Sequence, residues 1–125
     1  MRSIVIAAAA LALASPGYAG TLATSFVLQA PGQHVHCDVV NVGASSVTVK
    51  ADLTGLNGSV AVSHSASLGP GQGFGVVGQC INPGGTPPGC SGYCRFTAAH
   101  KNQIRGVLTV TPSDSDSPVV SLAAQ

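Results

Sequence analysis

The sequence contains no tryptophan and no glutamate, and it has few aromatic or charged residues. Aromatic residues make up 4% of the 125 positions, and charged residues make up 7%. Five Lys and Arg residues against four Asp residues leave no basic stripe to neutralise a row of phosphates or an anionic lipid surface. We therefore expect no binding to nucleic acid and no electrostatic attachment to membranes.

The sequence also lacks an apolar run of the roughly 20 residues that a helix needs to cross a bilayer. The apolar run over residues 4–14 is too short, but it follows Arg2 and precedes Gly17 and Ala19, small residues that suit signal peptidase. This pattern predicts a signal peptide over residues 1–19 and one exported domain over residues 20–125. We expect the mature chain to be secreted or periplasmic, with no membrane insertion after cleavage. A buried N-terminal helix is the alternative, but the run has no amphipathic pattern.

Glycine, serine, threonine and valine are abundant instead, which is typical of β-strands joined by tight turns. The alternation of apolar and polar residues is clearest over residues 46–53, and Asn57-Gly58 is a strong turn dipeptide. The predicted strands are residues 24–29, 34–42, 46–53, 59–66, 72–79, 93–99, 104–111 and 119–123. Val60 and Val62 are expected to point inward.

Seven or eight short strands at intervals of about ten residues predict an all-β fold, an antiparallel two-sheet immunoglobulin-like sandwich. A small closed barrel is the alternative, because periodicity does not separate the two. The strands at residues 93–99 and 104–111 are expected to pair as a hairpin. A true immunoglobulin domain is not predicted, because tryptophan is absent and Tyr93 directly precedes Cys94.

Four cysteines in a small exported domain predict two disulfides. Cys37 and Cys94 fall on the apolar faces of distant strands, so we expect them to join the sheets through the core and to stabilise the fold by roughly 4 kcal/mol. Cys80 and Cys90 would then close the loop rich in Pro and Gly before Cys94. Pairing of Cys80 or Cys90 with Cys94 is the alternative, and a zinc site of four cysteines is less favoured because the spacings match no standard motif.

Four short motifs carry a resemblance: Cys37-Asp38-Val39-Val40-Asn41-Val42-Gly43, Leu68-Gly69-Pro70-Gly71, Cys94-Arg95-Phe96 and Arg105-Gly106-Val107-Leu108-Thr109-Val110. Together they resemble a broad group of small secreted bacterial proteins of uncharacterised function. The resemblance covers most of the predicted mature chain, and it implies a β-sandwich with one disulfide between the sheets and no established activity. Cys80, Cys90 and the loop between them depart from that pattern.

Three candidate metal ligands, His34, His36 and Asp38, alternate along one predicted strand and therefore share its polar face. A His-x-His pair can chelate Zn or Cu, and Asp38, His64 or His100 could complete the site. The alternative is a solvated strand face, with no cofactor.

Catalysis is not expected. No serine lies in a Gly-x-Ser-x-Gly turn, and without glutamate the usual carboxylate pair of glycosidases is incomplete. Ser63-His64-Ser65 places serines beside a histidine, but neighbours on a strand point to opposite faces.

Binding is the better hypothesis. The loop from Cys80 to Cys94 offers Asn82, Thr86 and Tyr93 to a protein or small ligand, and disulfide closure would lower the entropy cost of presenting them. Arg95 and Arg105 are expected to face each other nearby and could bind an anionic group. The sequence thus predicts an exported, non-catalytic binding or structural module, with a periplasmic Zn- or Cu-binding protein as the alternative.

Overall fold

The computed structural model describes residues 20–28, 30, 32–55, 58–79, 91–112, 118 and 120–125. The strands in this part of the chain are β1 (Gly20–Ala23), β2 (Val27–Leu28), β3 (His34–Asn41), β4 (Val47–Gly55), β5 (Val60–Leu68), β6 (Gly73–Gln79), β7 (Ser91–Ala98), β8 (Ile104–Thr111) and β9 (Val120–Ala123). Helical structure in the same residues is limited to a 3₁₀ turn at Lys101–Gln103, and no helix there is long and apolar enough to span a membrane. The predicted signal peptide, the predicted Cys80–Cys90 pair, Asn82 and Thr86 lie outside the described residues.

The strands form two antiparallel sheets, which confirms the predicted all-β sandwich. The first sheet has the order β1-β7-β4-β5, with β2 also paired to β7, and the second sheet has the order β6-β3-β8-β9. β2 lies within the first predicted strand, residues 24–29, whereas β1 precedes it and was not predicted, so the edge of this sheet beside β7 is divided into two short strands. The division has a local cause: Thr24 Oγ1 accepts a 3.0 Å hydrogen bond from the Cys94 N–H, so a side-chain oxygen replaces a backbone carbonyl in the ladder.

The predicted hairpin of residues 93–99 and 104–111 is wrong. β7 pairs with β4 in the first sheet, whereas β8 pairs with β3 in the second. The 3₁₀ turn at Lys101–Gln103 carries the chain between the sheets, and the Gln103 carbonyl accepts a 2.7 Å hydrogen bond from the Val42 N–H.

The core lies between the sheets and is built from the inward-facing residues of both. Its fully buried members include Val35, Val49, Phe96, Ile104 and Leu108. Cys37 and Cys94, both 0% exposed, form the predicted disulfide between β3 and β7 across 57 residues of sequence. Val62 packs against the core, but Val60 is exposed, so the expectation that both point inward is half wrong. A bulge in the β4–β5 pairing lies between Val62 and Val60 and shifts the register there.

The two lateral sides of the sandwich differ. On the closed side, β1 meets the end of the chain: the Ala23 N–H donates to the Gln125 carbonyl and the Gln125 N–H donates to the Ala23 carbonyl, each at 3.1 Å. On the open side, the edge strands β5 and β6 each pair with one neighbour only within the described residues. The side chains of His64 and Phe74 meet there edge to face, with ring centroids 5.2 Å apart.

Asn41, fully buried, organises one end of the sandwich. Its Nδ2 donates to the carbonyls of Ser45 and Leu68 at 2.8 and 2.9 Å, and its Oδ1 accepts from the Gly43 N–H at 2.8 Å. At the opposite end, which we call the loop end, β6 finishes at Gln79 and β7 begins at Ser91.

Candidate functional site

The predicted metal ligands lie on the outer face of the second sheet. His34, His36 and Asp38 alternate along β3 with the buried Val35, Cys37 and Val39, as the sequence predicts. The rings of His34 and His36 are tilted, with centroids 6.4 Å apart. His36 Nε2 lies 3.1 Å from Thr111 Oγ1, within hydrogen-bond distance.

The remaining candidate ligands are spread over the molecule. Asp38 leans over β6, where a Cβ on Gly75 would lie 2.1 Å from its Oδ1. His64 faces Phe74 on the open side, and His100 precedes the 3₁₀ turn. Within the described residues, no group of three or more His, Cys, Asp or Glu side chains is close enough to hold a metal ion.

The predicted binding residues divide between the two sheets. Tyr93 and Arg95 lie on β7, close to the loop end, where Tyr93 pairs with Thr54 and Arg95 pairs with Asp52. Arg105 lies on β8 beside Val40, on the other sheet and toward the Asn41 end. Its Nη1 donates to the carbonyls of Asn102 and Ile104 at 3.2 and 2.8 Å. Arg95 and Arg105 therefore do not face each other, because β7 and β8 are not a hairpin.

The outer face of the first sheet instead presents a cluster centred on Asp52, which the sequence pattern does not indicate. Asp52 is 1% exposed although it lies on the outer face of β4. Ser63 Oγ donates to its Oδ1 at 2.6 Å, Arg95 Nη2 donates to its Oδ2 at 3.3 Å, and Lys50 Nζ lies 3.5 Å from Oδ1. We call Asp52, Lys50, Ser63 and Arg95 the Asp52 cluster.

Register explains how the cluster forms. Asp52 is paired with Ser63 on β5 and with Arg95 on β7, and Lys50 precedes it by two residues on the same face of β4. Cross-strand neighbours on one face are within reach of each other, so three partners converge on one carboxylate. The signal in the sequence was the pair Lys50 and Asp52 at spacing two, but their cross-strand partners depend on the sheet order.

The electrostatics of the cluster favour the charged carboxylate. Burial alone would raise the pKa of Asp52, but the hydrogen bonds from Ser63 and Arg95 and the charge of Lys50 outweigh it, so the pKa lies below its ordinary value of 3.8. Lys50 and Arg95 remain 50% and 40% exposed at the side chain, so both keep donors that face solvent. Thr54, two residues farther along the same face, is 1% exposed, and its Oγ1 has no hydrogen-bond partner.

The Ser63-His64-Ser65 segment does not assemble a nucleophile with its base. Ser63 bonds to Asp52 on the outer face of the first sheet, while His64 faces Phe74 on the inner face. A serine hydroxyl and the imidazole that would activate it must lie within hydrogen-bond reach of each other. Adjacent residues of β5 hold these two groups on opposite sides of the sheet.

No family model matches this chain, and no curated protein matches it. The fold is similar to the crystal structure of Thermotoga maritima 1070, with a TM-score of 0.53 and 11% sequence identity over 86% of this chain and 94% of that chain. At this identity the likeness concerns the fold alone. The two chains share an overall architecture along most of their lengths.

Proposed function

We propose that the protein is an exported, non-catalytic binding module that recognises an anionic group of its partner through Arg95 and Lys50. The observation that carries this proposal is the position of Asp52, a buried carboxylate that contacts both cations on an outward-facing sheet surface. The buried carboxylate of Asp52 therefore holds two half-exposed cations side by side.

Preorganisation is the physical basis of the proposal. A free Lys or Arg side chain loses rotamer entropy when it binds, whereas a side chain already held by a carboxylate loses less. Two cations against one carboxylate also leave a net positive charge on this face. The guanidinium of Arg95 carries five N–H donors in a planar fork, which suits a carboxylate or a phosphate. Hydroxyls of Ser65 and Thr97, which flank Lys50 in the sheet, supply further polar groups.

The place of Arg95 in the sequence also supports the proposal, because β7 begins directly after residues 80–90, for which the sequence predicts a binding loop. Binding residues are often found on loops held by a rigid scaffold.

Titration with inorganic phosphate and with acetate, followed by amide chemical shifts, tests this function. We expect saturable shifts at Lys50, Asp52 and Arg95, with Kd in the millimolar range because each probe is a single small group. Arg95→Gln should abolish the saturable shifts. Arg105→Gln, an exposed arginine on the other sheet, is the matched control and should leave them unchanged. Equal responses in the two variants would contradict the assignment.

Export is part of the same proposal and has its own test. The Cys37–Cys94 disulfide supports it, because such bonds form and persist mainly outside the cytoplasm. Membership in the group of small secreted proteins described above would agree with it. The intact mass of protein expressed with its leader should correspond to a chain that begins at Gly20 and has all four cysteines oxidised. An unprocessed chain would refute export by the predicted route.

A second candidate is Zn or Cu binding at His34 and His36. The observation that favours it is the 6.4 Å separation of two imidazoles on one sheet face. Metal analysis of untagged protein, together with His34→Ala and His36→Ala, separates the two candidates, since neither histidine belongs to the Asp52 cluster. Stoichiometric metal that is lost in both variants would support this candidate, and its absence would dismiss it.

A further inference from the structure

The outer edge of β5 is unusually unprotected. Among the described residues, β5 is bonded to β4 along one edge only, and the other edge of this nine-residue strand presents the backbone N–H and C=O groups of alternate residues without a partner strand. Natural proteins usually blunt such an edge with lysine, proline or an inward-pointing charge, since a bare edge pairs with other strands. The sequence of β5, Val-Ala-Val-Ser-His-Ser-Ala-Ser-Leu, contains no proline and no charged Lys, Arg, Asp or Glu.

The same strand is nearly symmetric about its central residue. His64 has a serine on each side, Ser63 and Ser65. Two residues away in each direction are Val62 and Ala66, and the ends are both apolar, Val60 and Leu68. A strand that pairs antiparallel with a copy of itself brings together positions equally distant from the centre, so this pattern is complementary to itself.

We propose that β5 pairs antiparallel with β5 of a second copy of this chain, with the two-fold axis at His64. In this register, His64 faces the partner's His64, and Ser63 faces the partner's Ser65. Val62 faces the partner's Ala66 on the inner face. The pairing joins the first sheets of two copies into one continuous sheet, and it satisfies the backbone groups of β5 that have no partner strand in the described part of the chain.

Charge supports this register. Lys50 is paired with Ser65, and Asp52 is paired with Ser63. When Ser65 faces the partner's Ser63, a row of residues across the four strands runs from Lys50 through these two serines to the partner's Asp52. The row covers three strand spacings, so the Cα atoms of Lys50 and the partner's Asp52 are about 14 Å apart. The two-fold axis repeats the row in the opposite direction. Opposite charges therefore share each row, and no like charges meet at the edge.

The inner face of β5 supplies apolar contact. His64 is exposed and lies edge to face on the half-buried Phe74, with centroids 5.2 Å apart. At the two-fold axis, these two rings would adjoin the same pair from the second copy. Aromatic rings arranged in this way stabilise an interface beyond the area that they bury. Edge pairing buries less than a standard interface, so we expect a weak dimer with Kd on the order of 100 µM.

Sedimentation velocity of protein produced from the full sequence tests the dimer. The variants place charges at His64, the position that would face its own copy across the two-fold axis. His64→Asp and His64→Lys each place like charges directly opposite, so each variant alone should associate at least about tenfold more weakly than the wild type. An equimolar mixture should recover the dimer, because Asp then faces Lys. Ser121→Asp and Ser121→Lys, at an exposed position on β9, are the matched controls and should leave association unchanged.

Wild-type protein that remains monomeric to about ten times the expected Kd would overturn the proposal. It would also be overturned if the single His64 variants dimerised like the wild type, or if their mixture stayed monomeric. Urea unfolding of each variant, with the disulfide intact, distinguishes lost association from lost folding. Phosphate binding at the Asp52 cluster is measured separately, so failure of one proposal leaves the other standing.

Discussion

The closed and open sides of this sandwich differ in how the backbone groups of their edge strands are paired. On the closed side, the backbone groups of Ala23 and Gln125 bond to each other, and β1 and β9 are thereby linked across the two sheets. On the open side, β5 and β6 meet only through side chains such as His64 and Phe74. Within the described residues, the chain thus links the edges of β1 and β9 by its own hydrogen bonds and leaves the edges of β5 and β6 without a partner strand. The proposed association between chains would protect the edge of β5.

Removing the disulfide should cause the largest loss of stability, and it should affect the two sides differently. Cys37→Ala combined with Cys94→Ala should lower the free energy of unfolding by about 4 kcal/mol, because the bond closes a long loop and both sulfurs are fully buried. Without it, the sheets are held together by the core and by the closed side. Amide hydrogen exchange should therefore rise more in β5 and β6 than in β1 and β9. A uniform rise over all strands would contradict the difference between the sides.

A pair of glycine substitutions compares the packing near the two sides. A Cβ on Gly106 in β8 would lie 2.3, 2.4 and 3.0 Å from three ring atoms of Phe96, which is fully buried. A Cβ on Gly78 in β6 would approach only the tip of Leu53, at 2.2 Å, with the next atom at 3.7 Å.

The rigid ring cannot move aside, but the leucine can change rotamer. Gly106→Ala should therefore destabilise the protein by about 2 kcal/mol, and Gly78→Ala by less than about 1 kcal/mol. Urea unfolding at one pH measures both. Equal losses would show that the open side is packed as tightly as the strands next to β9.

A loss between those of the two glycine substitutions is expected on the outer face of the open side, where Asp52 on β4 accepts a hydrogen bond from Ser63 on β5. Asp52→Asn keeps an acceptor but removes the charge, so we expect a loss of about 1–2 kcal/mol at neutral pH. Because the pKa of Asp52 is lower in the folded protein than its ordinary value of 3.8, its contribution is complete above about pH 4 and is lost as the pH falls through the lowered value. Urea unfolding between pH 6 and pH 2 should show the wild type and the variant converging in acid. A constant difference across that range would contradict the role given to Asp52.

The sequence was sufficient for the layers and for the disulfide. Alternation placed Val35, Cys37 and Val39 on one face of β3, and Cys94 and Phe96 on one face of β7. Two cysteines on inward faces of distant strands can meet only if the strands belong to facing sheets. Local patterns were therefore enough to predict the strand faces and the bond between them.

The order of the strands within the sheets, in contrast, cannot be predicted from local sequence patterns. Strands that follow each other closely usually pair, so β7 and β8 were expected to form a hairpin, and Arg95 and Arg105 were expected to lie together. The 3₁₀ turn at Lys101–Gln103 instead leads the chain across to the other sheet. The Asp52 cluster was missed for the same reason, since its members Ser63 and Arg95 become neighbours of Asp52 only through pairings with β5 and β7. Alternation alone predicts a solvated aspartate at that position.

The contact between Ala23 and Gln125 has a practical consequence for attaching this domain to something else. A segment joined before β1 leaves the molecule three residues from Ala23, and a segment joined after Gln125 leaves beside Ala23, so both lie on the edge of the first sheet opposite β5. A tag, a linker or a surface anchor at either point would therefore lie on the side of the sheet opposite the β5 edge. Immobilised copies would therefore still be able to form the proposed β5 pairing.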